Sequence, residues 1–217
     1  MRMAIEVKIC GINSPAALSA AVEGGAALVG FNFYRKSPRF VTPEAAAALA
    51  RTVPASIKRV AVIVDLDNEA IAALLAAVPL DMLQLHGKED PTRAAAIRAR
   101  FRKPVMKAIS IAQASDLEAA DKFLPVVDRL MFDAKPPPSM KDALPGGNAI
   151  SFDWTLLAGR DWPKPWMLAG GLNPENLAEA VRISGARRVD AASGVEDRPG
   201  VKSPEKIRAL LALAKTL

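Results

Sequence analysis

Met167-Leu168-Ala169-Gly170-Gly171-Leu172-Asn173-Pro174-Glu175 and, soon after it, Val189-Asp190-Ala191-Ala192-Ser193-Gly194-Val195-Glu196 are apolar runs that end in glycine before a segment of helical character. Glycine lets the backbone come close to a ligand, and N–H groups at a helix start attract anions. In a (β/α)8 barrel the last two strand ends are where a phosphate commonly sits. The pair therefore points to a parallel α/β fold and to an anionic ligand.

Working outward, short β-rich runs alternate with Ala/Leu-rich runs of helical period along the whole chain. The pattern predicts strands near Ile5–Cys10, Leu28–Phe33, Arg59–Val64, Met82–Leu85, Val105–Ile109, Arg129–Asp133, Trp166–Ala169 and Arg188–Ala191. It predicts helices near Pro15–Gly24, Pro43–Thr52, Asn68–Ala77, Pro91–Arg100, Ala114–Phe123, Phe152–Leu157, Pro174–Ser184 and Pro204–Lys215. Ser14-Pro15, Thr42-Pro43, Asp90-Pro91, Asn173-Pro174 and Ser203-Pro204 each pair an N-cap residue with proline at the first helical position. Gly24-Gly25 and Gly185 mark helix ends. Successive β-then-α units imply parallel strands with helical crossovers, either in a closed barrel or in an open doubly wound sheet. Eight evenly spaced units favour closure, the (β/α)8 TIM barrel. The dinucleotide fingerprint is missing after the first strand, where Cys10-Gly11-Ile12-Asn13 stands, and there is no P-loop. No internal break resembles a linker, so residues 1–217 read as a single domain. The connection from Ala134 to Ile150, with Lys135-Pro136-Pro137-Pro138 and Gly146-Gly147, exceeds the usual βα loop. It reads as a binding loop or lid, or equally as a rigid insertion.

Composition narrows the function classes. Over 217 residues an apolar share of 51% allows a sizeable core and excludes a disordered chain. No apolar run approaches the ~18 residues of a membrane span, and Met1 to Val7 lacks a signal-peptide core, so the expectation is cytoplasmic. A single cysteine, Cys10, rules out an intramolecular disulfide and a cysteine-rich zinc site, and a single histidine disfavours Cys/His metal sites. The net charge is +6, but Lys and Arg are spread in short groups such as Lys58-Arg59 and Arg187-Arg188. That reads as a solvated basic surface which helps draw in an anionic substrate, rather than a nucleic-acid face.

In a barrel enzyme the polar residues at C-terminal strand ends are the candidates for chemistry. They are Cys10, then Arg35, Lys36 and Arg39, Asp65, Gln84 and His86, Asp133, and Asp190 with Ser193. Each also has a plainer reading. Cys10 can be a small buried apolar residue, Asp133 a turn or cap residue, and His86 a hydrogen-bonded wall residue. Ser37-Pro38-Arg39 can be a turn with a solvated guanidinium, or can present a planar fork to a carboxylate. Together they outline a phosphate cradle, a candidate base, a candidate acid and a cationic clamp, which suits proton transfer on a sugar phosphate.

The motifs Val7-Lys8-Ile9-Cys10-Gly11, Gly30-Phe31 with Ser37-Pro38-Arg39, Gln84-Leu85-His86-Gly87, Phe132-Asp133, Gly146-Gly147 before Phe152-Asp153-Trp154, and the two glycine strand ends occur in order over nearly the whole chain. In this the chain resembles the phosphoribosylanthranilate isomerases of tryptophan biosynthesis. The resemblance implies a (β/α)8 barrel without cofactor or metal that performs an Amadori rearrangement of N-(5-phosphoribosyl)anthranilate. It implies Asp133 as general acid, Cys10 as general base, Arg39 on the anthranilate carboxylate and Asp190 on the sugar. Gly170, Gly171, Ser193 and Gly194 would hold the phosphate. His86 lies in the matching strand-four motif as a substrate-side residue without a defined role. The implied partner is a small phosphosugar, with no nucleic acid or membrane, in a monomer or homodimer.

The acid role requires a protonated Asp133, and the base role requires a cation or donor near Cys10. Lys8 shares a face with Cys10 but starts ~6–7 Å deeper, so it is expected not to help directly. It would instead need a carboxylate partner, either Glu6 or an acid from another strand. After Gly146-Gly147 the family commonly has Thr-Gly, whereas Asn148-Ala149 stands here, with Asn able to take a left-handed φ. Other phosphosugar barrels and a non-catalytic phosphate-binding barrel are the alternatives. An indole-glycerol-phosphate synthase would need acids to match Lys107, and a ProFAR-type isomerase would need a half-barrel repeat.

Overall fold

The structure, a computed structural model, describes residues 5–140 and 143–217. Residues 1–4, part of the start read above for a leader, and residues 141–142, part of the long connection, lie outside that description. Eight parallel strands close into a barrel in sequence order: β1 (Glu6–Cys10), β2 (Leu28–Asn32), β3 (Lys58–Ile63), β4 (Met82–Leu85), β5 (Val105–Ile111), β6 (Arg129–Ala134), β7 (Trp166–Leu168) and β8 (Arg188–Ala191). Closure pairs β1 with β8 and sets Lys8 against Asp190 in register.

The helices are α1 (Pro15–Gly24), α2 (Pro43–Ala50), α3 (Asn68–Ala77), α4 (Pro91–Phe101), α5 (Glu118–Phe123), α6 (Leu177–Ser184) and α7 (Pro204–Ala214). Four of the five proline-marked starts are caps as read: Ser14, Thr42, Asp90 and Ser203 each accept a backbone N–H from the first turn. The fifth is a correction. The Asn173 side chain accepts from the N–H of Glu175 and of Asn176, which closes a turn, and α6 begins only at Leu177. Gly25 and Gly185 close their helices in the left-handed conformation. The segment expected as a sixth helix is a single 3-10 turn, Trp154–Leu157, and Ala114–Leu117 is a 3-10 turn leading into α5. One element was not foreseen. After β8 the chain forms a small antiparallel hairpin of β9 (Glu196–Arg198) and β10 (Val201–Lys202).

Alternation along each strand divides the core in two. Val7 and Ile9, Leu83 and Leu85, Leu130 and Phe132, and Val189 and Ala191 face the helices and form the large outer core. The opposite faces meet inside the barrel, where Leu28, Val60, Met82, Met106, Met131 and Met167 form a separate floor. On these inward faces stand Lys8 and Cys10, Gln84, Asp133 and Asp190, so the same alternation that buries the apolar residues gathers the polar ones above the floor.

Candidate active site

A cavity opens at the C-terminal end of the barrel. Cys10, Arg39, His86, Asp133, Gly170, Gly171, Asp190 and Ser193, all named from the sequence, line it. Gly194 is set back: a Cβ there would lie 2.0 Å from the Leu172 carbonyl oxygen, so this position carries no side chain for packing reasons. Gly170 and Gly171 have φ of 93° and 63°, and Cβ atoms on them would run into Ala134 and the Ile150 carbonyl. They let the β7 end turn sharply beneath the long connection. That connection covers the site, with Leu144 to Asn148 and Ile150 on the cavity wall. A Cβ on Gly146 would lie 2.4 Å from His86 Nε2 and 2.6 Å from Asp133 Oδ2, so only glycine lets the loop lie over that pair.

Cys10 is buried, and Gly30 beside it on β2 leaves room for its sulfur and for the Lys8 ammonium together. Burial pushes the Cys10 thiol up and Asp190 adds to this, while Lys8 and Lys202 pull it down, with a net upward direction. The expectation that Lys8 stays too deep to help is therefore corrected. Its Cα lies below that of Cys10, but four methylenes carry Nζ up to the level of the sulfur. Its carboxylate partner is Asp190, at 2.8 Å across the β1–β8 seam, and not Glu6, which pairs with Arg129 and Arg188 at the far end of the barrel. Burial pulls Lys8 down, but Asp190 and Cys10 outweigh it and hold its pKa above the ordinary value.

Across the cavity, Asp133 Oδ1 accepts the Ala134 N–H at 2.9 Å, and Oδ2 lies 3.1 Å from His86 Nε2. The Gln84 amide nitrogen is 2.8 Å from His86 Nδ1, and its buried Oε1 has no hydrogen-bond partner. The cavity thus has a thiol with an adjacent ammonium on one wall and a carboxyl group tied to an imidazole on the other.

The chain matches known proteins over nearly its whole length. The family model for N-(5'-phosphoribosyl)anthranilate isomerase matches residues 7–212. The chain belongs to this isomerase family. The Rhodospirillum centenum N-(5'-phosphoribosyl)anthranilate isomerase is 56% identical over 99% of this chain and all of the relative. The solved Thermotoga maritima enzyme superposes with a TM-score of 0.86 at 35% identity, over 98% of this chain and 100% of that one. A further solved phosphoribosylanthranilate isomerase, in complex with reduced 1-(o-carboxyphenylamino)-1-deoxyribulose 5-phosphate, gives a TM-score of 0.82 at 32% identity, covering 98% and 100%.

Within this family fold, Arg39 departs from the expected open fork. Its Nε and Nη2 donate to Glu196 at 2.7 and 2.8 Å, so one edge of the guanidinium is taken and Nη1 is left toward the loop at Gly147. The left-handed residue after Gly147 is Ala149, with φ of 57°, and not Asn148. Asn148 instead ties the loop by accepting the Leu144 N–H and donating to the Leu144 carbonyl. Three site residues escaped the sequence reading: Glu196, Lys202 and Glu89. Glu89 accepts from Lys107 and from the N–H groups of Asp65 and Gly87, and so fixes the turn that follows His86. Their signal was weak, although Pro199-Gly200 is a turn dipeptide that could have revealed the hairpin carrying Glu196 and Lys202.

Proposed function

We propose that the chain, acting as one barrel domain, converts N-(5-phosphoribosyl)anthranilate into 1-(2-carboxyphenylamino)-1-deoxyribulose 5-phosphate by an Amadori rearrangement. The observation that carries this is the pair Cys10 and Asp133, which line one cavity from β1 and β6 next to the glycine cradle of β7 and β8. Asp133 gives its proton to the furanose ring oxygen as the bond from that oxygen to C1′ breaks, and the amine lone pair forms the iminium. The Cys10 thiolate takes the C2′ proton, and the released electron pair forms the C1′–C2′ double bond and neutralises the iminium. The enaminol then loses its hydroxyl proton and gains one at C1′ to give the ketone. One proton must then return from Cys10 to Asp133, directly or through solvent.

The supporting roles are those that the family resemblance implies. Gly170, Gly171, Ser193 and Gly194 hold the phosphate by backbone N–H groups, Asp190 contacts the sugar, and Arg39 meets the carboxylate. A protonated Asp133 reverses the His86 contact: Oδ2–H donates to Nε2, and Nδ1 then carries the ring hydrogen. The unpartnered Gln84 Oε1 supplies the acceptor for that state when the amide turns over. A cytoplasmic location fits a biosynthetic enzyme whose described residues include no helix long and apolar enough to cross a membrane.

The test is turnover of the substrate, followed by loss of its fluorescence. Cys10→Ala and Asp133→Asn are each expected to lower kcat by about a hundredfold or more, the worth of general acid–base catalysis. Near-normal turnover by either variant would remove the role assigned to that residue, and an inactive, folded parent protein would remove the function.

A further inference from the structure

Apart from the reacting groups, the most heavily built part of the site is the triad Arg39, Glu196 and Lys202. Glu196 receives the Arg39 fork, and Lys202 Nζ donates to Glu196 Oε1 at 2.6 Å and to the Ala192 carbonyl at 2.8 Å. The three side chains are 5%, 4% and 0% exposed. The carboxylate is held ionised against its burial by the two cations. Two parallel N–H···O bonds fix the plane of a guanidinium, which a single contact does not.

Glu196 and Lys202 stand on the β9–β10 hairpin, which is itself docked on both neighbouring loops. Asn13 Nδ2 donates to the Gly200 carbonyl at 2.9 Å. Gly200 packs so closely on Pro38 that a Cβ would lie 2.3 Å from the Pro38 oxygen. The Arg39 stem runs over Gly11, and its remaining corner, Nη1, abuts Gly147. Every contact on this arginine leaves one set of donors for the cavity, in one orientation.

We propose that Glu196, with Lys202 as its counter-ion, is a positioning residue for substrate specificity: it aims the Nη1 corner of Arg39 at the carboxylate of the substrate's aromatic amine. This rests on the isomerase reading of the site. Glu196 does not touch the substrate. It removes the freedom of Arg39 to swing or to pair in another geometry, and a small misplacement of a substrate anchor has large rate consequences.

The test compares two substrates, the ribose 5-phosphate adduct of anthranilate and that of aniline, which lacks the carboxylate. The readout is the ratio of their kcat/KM values. Glu196→Gln leaves two buried cations without a counter-charge, so Glu196→Gln/Lys202→Met, which removes one charge of each sign, is measured beside it, with circular dichroism to confirm folding. In the double variant the ratio is expected to fall by about tenfold to a hundredfold, while the loss from withdrawing the Lys202 charge near Cys10 falls on both substrates alike and cancels in the ratio. In an Arg39→Ala background the same double change is expected to leave the ratio where Arg39→Ala alone puts it. A ratio that stays at the parent value, or an equal loss with both substrates, overturns the proposal and leaves the isomerase reading standing. A parent protein that turns over neither adduct overturns both.

Discussion

Replacing Lys8 tests how the Cys10 thiol is tuned. The Cys10 sulfur and the Lys8 nitrogen lie 3.1 and 3.2 Å from the point where a Cβ on Gly30 would sit, so they are at most about 6 Å apart. With an effective dielectric constant near ~20, unit charges at that distance attract by about 3 kcal/mol, roughly a hundredfold in thiolate population. Lys8→Met removes that attraction. It also strips Asp190 of its 2.8 Å partner, which costs about 3–5 kcal/mol of stability for a buried pair broken on one side. Rates are therefore read well below the melting transition of the variant. Cys10 is the only cysteine, so alkylation by iodoacetamide, followed by intact mass against pH, reports its thiolate without any substrate. Burial pushes this thiol up, so alkylation of the parent protein should rise at more alkaline pH than for an ordinary cysteine. The two neighbours act with opposite sign. Lys8 favours the thiolate, so Lys8→Met should alkylate about a hundredfold more slowly near pH 8. Asp190 disfavours it, so Asp190→Asn should alkylate faster. Parent-like rates in both variants, or shifts of both in the same direction, would refute this account of the thiol.

Three further outcomes follow from the packing. Ala149 holds φ of 57°, which an L side chain resists, so Ala149→Gly should raise Tm by about 2–4 °C in calorimetry; a fall would show that the loop is not strained there. Glu89→Ala orphans the buried Lys107 ammonium and two N–H groups, and Tm should drop on the order of 10 °C, whereas a drop within measurement error would mean the pair is replaceable by water. Among the described residues Val201 is the one exposed large apolar side chain, which leaves little to form the apolar centre of a stable interface. Light scattering at about 10 μM should therefore report a monomer, and a dimer mass would contradict this reading.

Local chemistry was the legible part of the sequence. An N-cap followed by proline depends on a few adjacent residues, and four of five such starts stand where they were read. Asn173-Pro174 failed because the same asparagine oxygen can close a turn as readily as cap a helix, and the β7 end with its two left-handed glycines requires the turn. Arg35, Lys36 and Asp65, candidates by the same strand-end rule, do not line the cavity, but Cys10, Asp133 and Asp190 were legible because strand ends in a closed barrel converge, whatever their separation along the chain. Their partners were not. Lys8 and Asp190 are 182 residues apart, and Arg39 and Glu196 are 157 apart. Both pairings exist only because closure lays the end of the chain against its beginning. Arg39 looked free from its own neighbourhood, since the group that occupies its fork comes from a hairpin too short to show a strand pattern.

The distribution of ion pairs bears on why such partners are kept. Lys8–Asp190, Arg39–Glu196–Lys202 and Lys107–Glu89 are almost wholly buried. Each either lines the cavity or fixes a loop that does. At the opposite end of the barrel, Glu6 with Arg129 and Arg188, Arg59 with Asp81, and Arg98 with Asp128 are about a quarter exposed or more. An exposed pair costs little and contributes little. A buried pair loses its hydration, a loss that Coulomb attraction offsets only when the geometry is good, and apolar residues of similar volume often serve stability as well. Stability alone therefore gives no reason to hold three such groups in the half of the barrel that carries the cavity. What an apolar replacement could not supply is a fixed charge: an ammonium beside the thiol, a guanidinium aimed from one edge, and a pinned turn behind His86.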